Sequence, residues 1–129
     1  DGIASWARGK RRDVKYNLYR LAPPNASVGV TWENSGLSVT TELVAYAKQD
    51  KVSVYNNEQR TPGYELVNAT LIWNATDSLR VEARVDNLLD ETYQDHVAGI
   101  NRAGGSDIPV GERLYGAERT LSAGVIWSF

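Results

Sequence analysis

The sequence predicts an all-β protein: an antiparallel transmembrane β-barrel, of which about six strands lie in this chain. Three observations predict it. Segment after segment alternates apolar and polar residues with a period of two, the connections alternate between short turns and long loops, and three of four tryptophans fall at the same end of their strands. Period-two alternation places one face of a strand in apolar surroundings and the other in water.

The first strand is expected at about Gly2 to Arg12 and the second at about Asn25 to Glu33, where Ala26, Val28, Val30 and Trp32 oppose Ser27, Gly29, Thr31 and Glu33. The third, about Leu37 to Gln49, sets Leu37, Val39, Leu43, Ala45 and Ala47 against Ser38, Thr40, Glu42 and Lys48. The fourth, about Gly63 to Trp73, sets Val67, Ala69, Leu71 and Trp73 against Asn68 and Thr70. In the fifth, about Leu79 to Asn87, every polar position is charged: Arg80, Glu82, Arg84 and Asp86 oppose Leu79, Val81, Ala83 and Val85. The sixth, about Arg119 to Phe129, carries Leu121, Ala123, Val125, Trp127 and Phe129 on one face and mostly small residues on the other. A soluble sandwich would place Lys, Glu or Thr on that second face. Apolar residues outside, a polar lumen inside and an aromatic girdle are the marks of a membrane barrel strand.

Residues 33–36 and 74–78 are rich in turn formers, whereas 13–24, 50–62 and 88–118 are long connections. Short turns on one side of a membrane and long loops on the other suit a barrel. If the sixth strand runs down, so do the second and fourth, and Trp32, Trp73 and Trp127 mark one interface. In a soluble core they would sit near strand centres.

Composition narrows the classes further. The 129 residues make one domain at most, or a piece of one, and Asp1 in place of Met points to an upstream portion. No apolar run approaches the ~18 residues of a helical span, which excludes transmembrane helices only. A net charge of -2 argues against nucleic acid as a partner. The absence of cysteine excludes disulfides and thiolate metal sites. Four Trp and seven Tyr against one Phe favour surfaces that are part apolar and part wet.

Asn87-Leu88-Leu89-Asp90-Glu91-Thr92-Tyr93 follows a charged alternating strand and precedes a long loop and a last strand ending in Phe129. Together with Thr61-Pro62-Gly63-Tyr64 at the start of the fourth strand, this order resembles the C-terminal end of TonB-dependent outer-membrane receptors. The likeness covers residues 61–129 well and 1–60 plausibly. It implies a barrel of twenty-two strands, of which residues 1–129 would be the last six, in the bacterial outer membrane. It also implies a plug domain and a TonB-contacting segment, both outside this chain. Phe129 resembles the signal read by the barrel assembly machinery. The implied function is import of a scarce metal chelate, a ferric siderophore above all, with outer-membrane lipid around the wall.

Candidate ligand contacts lie in the long loop: Tyr93, His96, Arg102, Arg113 and Tyr115. Arginines and tyrosines suit an anionic, aromatic chelate, and ordinary loop packing is the competing role. His96, beside Asp95 and near Glu91, is read either as a metal contact or as a solvated loop histidine. Since a metal site normally takes three or four ligands, no metal site and no cofactor is expected. The charges of the fifth strand are expected to form a lumen ladder. The run Lys10-Arg11-Arg12, with Lys15, is read as touching anionic lipopolysaccharide or as a solvated loop. No catalytic set is evident, so an enzyme is not expected. The competing classes are a soluble β-sandwich binding module and a secreted carbohydrate-active β enzyme, which would need two carboxylates converging in a cleft.

Overall fold

The computed structural model describes residues 1–129. Six strands form a single antiparallel sheet in chain order: β1 (Gly2–Ser5), β2 (Asn25–Asn34), β3 (Leu37–Tyr46), β4 (Tyr64–Asn74), β5 (Leu79–Asp86) and β6 (Thr120–Trp127). A short 3-10 turn, Val54–Asn56, is the only helical element.

The strand bounds differ from the sequence expectation by more than one residue at three ends. β1 stops at Ser5 rather than Arg12, because the following residues turn back on themselves through a Lys10–Asn17 bridge. β3 stops at Tyr46 rather than Gln49, whose side-chain amide donates to the Leu21 carbonyl while its backbone bridges Thr61. β6 ends at Trp127 rather than Phe129, where the Ser128 N–H turns to the Ser78 carbonyl.

The β2–β3 hairpin closes through Ser35 and Gly36, both at positive φ (44° and 82°). That pair of left-handed residues makes a type I′ turn, whose twist matches that of the flanking strands. Gly36 is required a second time: an added Cβ would stand 2.9 Å from the Asn74 carbonyl oxygen, and Asn74 donates its N–H to Gly36.

Register confirms the two faces. One row runs Val30–Thr41–Ala69–Val85–Leu121 and the next Trp32–Val39–Leu71–Ala83–Ala123. On the opposite face the rows read Thr31–Thr40–Thr70–Arg84–Ser122 and Glu33–Ser38–Ile72–Glu82–Gly124. The fifth-strand charges pair along their own strand, Arg80 with Glu82 at 2.7 Å and Arg84 with Asp86 at 2.6 Å. Such exposed pairs are worth little in stability; they keep the polar face near neutral.

No second sheet or helix packs on either face; only at the loop end do Tyr93 and Asn87 reach the polar face, against Tyr64 and Asn68. Apart from Pro23 and Gly99, the nine buried residues are all polar, and no large hydrophobic side chain is among them. A sheet with an apolar face has to bury it against something, and an apolar patch of this extent is not a surface that soluble monomers present.

The tryptophans fix how the sheet would stand. Trp32 is in register with Leu71, and Trp73 lies two residues further down β4; Trp73 is in register with Val125, and Trp127 lies two residues further down β6. The aromatic line therefore drops one residue per strand. With ~3.4 Å per residue and ~4.8 Å between strands, that is an inclination of about 35°. Transmembrane barrel strands tilt by ~35–45°, so a level girdle demands this stagger.

By the same geometry Val85 stands roughly 14 Å above the girdle, near the middle of a ~25 Å apolar band. Val85→Arg should cost about 2–4 kcal/mol in the membrane-embedded protein, and Arg84→Val on the opposite face much less. A detergent-refolding titration giving equal losses for the two would reject the face assignment.

Candidate functional site in the loop cluster

The chain segments 6–24, 47–63 and 87–119 all emerge at the end of the sheet opposite Trp32, Trp73 and Trp127. Their packing centres on Glu58. Its Oε1 accepts from the Arg20 backbone N–H at 2.7 Å and from His96 Nε2 at 3.1 Å, and its Oε2 accepts from the Ser53 N–H at 2.6 Å. One carboxylate thus joins all three loops. Both side chains of the His96–Glu58 pair are almost wholly withdrawn from solvent, at 1% and 4% exposure.

The carboxylate only accepts, so His96 Nε2 carries the proton and Nδ1 of the neutral ring accepts from the Thr61 hydroxyl, 3.0 Å away. Burial holds the His96 pKa below its ordinary value of 6.5; the Glu58 carboxylate opposes that shift and the Arg113 guanidinium adds to it. Arg113 donates from Nη2 to the Asp95 and His96 carbonyls, both at 3.2 Å. Burial likewise lowers its pKa, against the attraction of Glu58 and Asp95.

The ends of the last loop are pinned separately. Asn87, buried and at φ 53°, donates its N–H to Asn68 Oδ1, accepts from the Glu91 N–H and donates to the Glu91 and Ala117 carbonyls. Asn tolerates this left-handed conformation better than most residues. Asp90 accepts from the Arg119 N–H at 2.8 Å. Further out, the Asn101 side-chain amide donates to the Ala103 and Ile108 carbonyls and to Ser106, folding the tip on itself. Beneath the cluster, Tyr46, Tyr64 and Tyr93 stack in a column with ring centroids 4.7 and 4.6 Å apart.

The five residues expected to meet ligand are divided by the structure. His96 and Arg113 are buried in the contacts between loops, so His96 is neither a solvated histidine nor part of a metal-ligating group. No group of three His, Cys, Asp or Glu residues is arranged to hold a metal ion. Tyr93 is half-buried in the tyrosine column, and its ring lies where a Cβ on Gly116 would be. Arg102 is surface-exposed and donates to the Tyr19 hydroxyl at 2.6 Å. Tyr115 remains open, at 61% exposure. Glu58, Thr61, Asn87 and Asn101 were not expected as organising residues. Glu58 sits in a plain polar run, and its partner His96 is 38 residues away, so no local pattern reveals it. The cavity between Tyr19, Arg20, Glu58, His96 and Arg113 is only about 20 Å³, enough for one water and too small for a nutrient.

No protein-family model and no curated protein matches the chain. Among solved structures 29 chains match. One of them is the copper transporter OprC, to which this chain is 21% identical with a TM-score of 0.88, over 99% of this chain and 20% of that one. The chain therefore spans about a fifth of the length of that transporter and shares the fold of that part of it.

Glu58→Ala would strand the Ser53 N–H, the Arg20 N–H and His96 at once, and should weaken the loop assembly by about 2–4 kcal/mol. A histidine whose pKa is lowered by folding adds stability that is full above its unfolded value and fades as the pH falls. Hydrogen exchange of the Ser53 and Val97 amides should therefore be slow at about pH 7.5 and faster at about pH 5, beyond the intrinsic pH effect. His96→Gln should flatten that dependence; an unchanged profile would remove His96 from the clamp.

Proposed function

We propose that this chain is the C-terminal part of the barrel of a TonB-dependent outer-membrane receptor that imports a scarce metal chelate, with a ferric siderophore as the ligand. The observation that carries the reading is the sheet itself. From the tryptophan line up to the loops, its outer face is apolar apart from Thr41 and, at the loop end, Glu65. Its inner face carries the charges of Glu42, Arg80, Glu82, Arg84 and Asp86; its tryptophan line is staggered for tilted strands, and all its long loops lie at the far end. The likeness in fold to a copper transporter supports metal import as the wider purpose.

Two features favour a chelate over a bare ion for the part played by this segment. The chain has neither Cys nor Met, and its only histidine is committed to Glu58 and Thr61. Soft metals are selected by thiolate, thioether and imidazole donors, so a bare copper ion would take its ligands from elsewhere. A chelate is recognised through hydrogen bonds and aromatic contact, and the exposure of Arg102 and Tyr115 supports that role for them in this reading. In this reading the six strands are wall, the loops are mouth, and the coupling to TonB lies in a region beyond this chain. Phe129 serves the barrel assembly machinery. The protein is a transport element of the bacterial outer membrane, and no reaction is assigned to it.

Uptake of ferric siderophore and of copper by cells carrying the complete gene product distinguishes the two cargoes. Dependence of copper uptake alone would replace the ligand. Within a siderophore receptor, Tyr115→Ala should lower affinity roughly tenfold, on the scale of truncating one aromatic side chain at an interface, with no change in the thermal melt. His96→Ala should lower both, because it opens the loops. Unchanged affinity in Tyr115→Ala and Arg102→Ala together would leave recognition to other parts of the receptor.

A further inference from the structure

The fourth tryptophan stands apart from the girdle. Continuing the β1–β2 register by one residue sets Trp6 beside Pro24, at the loop end of the sheet and in step with the outward-facing Gly2 and Ala4. Pro24 is eight residues from Trp32 along β2, about 27 Å along the strand and about 20 Å along the normal of a tilted sheet. That is close to the height of the apolar band, so Trp6 falls at the upper interface as the other three fall at the lower. It is 76% exposed, with no other side chain covering it.

Trp6 lines a groove of about 330 Å³ together with Pro24 and Ala47, which is in step with the outward rows of β3. Arg8, Lys48, Asp50 and Lys51 also line it, beside Ala7, Leu21 and Gln49. Lys48 is neutralised by Asp50 at 2.9 Å, whereas Arg8 and Lys51 enter no ion pair. Two free cations therefore remain over an apolar floor, and the adjoining hairpin adds Lys10, Arg12 and Lys15. The order from the middle of the sheet upward is aliphatic surface, indole, then cations. A lipid presents the complementary order of acyl chain, glycerol or sugar, then phosphate.

We infer that this groove binds the headgroup of a phosphate-bearing lipid of the outward leaflet, with Arg8 and Lys51 on the phosphate and Trp6 against the upper acyl chains. The inference rests on the membrane reading given above. A soluble protein partner fits less well, since the floor is continuous with the surface that would meet hydrocarbon.

The test uses the complete gene product in phosphatidylcholine bicelles doped with lipid A, whose sugar carries phosphates. Lipid retained after gentle detergent exchange is counted by native mass spectrometry. Wild type should keep lipid A in preference to phosphatidylcholine, and Arg8→Gln with Lys51→Gln should lose roughly tenfold or more of it. Both side chains are exposed, so the fold should be unaffected; Trp6→Ala serves as the second variant and should weaken retention with the cations intact. Equal retention in wild type and the double variant would overturn the site, and so would release of lipid A by inorganic phosphate at equimolar ratio. Quenching of Trp127 by brominated lipid, in a variant with that tryptophan alone, separates the two levels. Quenched Trp127 with unchanged retention rejects only the headgroup site, whereas unquenched Trp127 rejects the membrane reading and the site with it.

Discussion

A peptide group that faces hydrocarbon has to find its hydrogen-bond partner within the protein, because no solvent there will supply one. In the proposed membrane reading the chain would meet that demand through strand pairing: 38 of its 60 backbone hydrogen bonds lie inside regular elements. The rest of the wall follows from that ladder. Pairing every strand to its sequence neighbour leaves both faces of the sheet without a second layer, so alternate residues have to suit two different surroundings. It also explains why a well-ordered sheet has no apolar core. The two outermost strands, β1 and β6, pair on one side only, which is an open invitation to further strands.

Above the wall the source of order changes. The loops hold together through side chains acting on backbone groups, and the buried groups are almost all polar. Glu58 spans three loops with two oxygens, and Asn87 joins β4, the turn after β5 and the return of the last loop. Such networks are worth most when every member is satisfied and cost most when one is removed. The tyrosine column links the two regimes, since Tyr46 and Tyr64 belong to strands and Tyr93 to the loop.

This division also decides what could be read from the sequence. The six strands, their faces and their order were legible because period-two patterning is local, and an apolar medium on one side with water on the other would sharpen it. Strand ends were less so: the first strand is expected to run to Arg12, yet residues 6–12 leave the sheet through a hairpin whose bridge no pattern announces. The loop cluster was legible only in part. His96, Arg113 and Tyr93 stood out by residue type, but their partners are set by how three loops meet. Type alone could not tell a residue turned outward, such as Tyr115, from one buried between loops, such as His96. Glu58 had no distinguishing neighbour at all.

The outer face makes its demands by class of residue and not by shape. A core residue must interlock with fixed neighbours, and one methylene more or less is felt. Val30, Ala69, Leu71 and Val125 meet no packed protein layer, so a fluid solvent would close around whatever apolar group replaced them. Substitutions among Val, Leu, Ile and Ala at such positions carry little penalty and can accumulate freely. Over long descent a wall of this kind keeps its backbone pairing while its letters drift, and its ancestry survives in geometry after it has faded from the text.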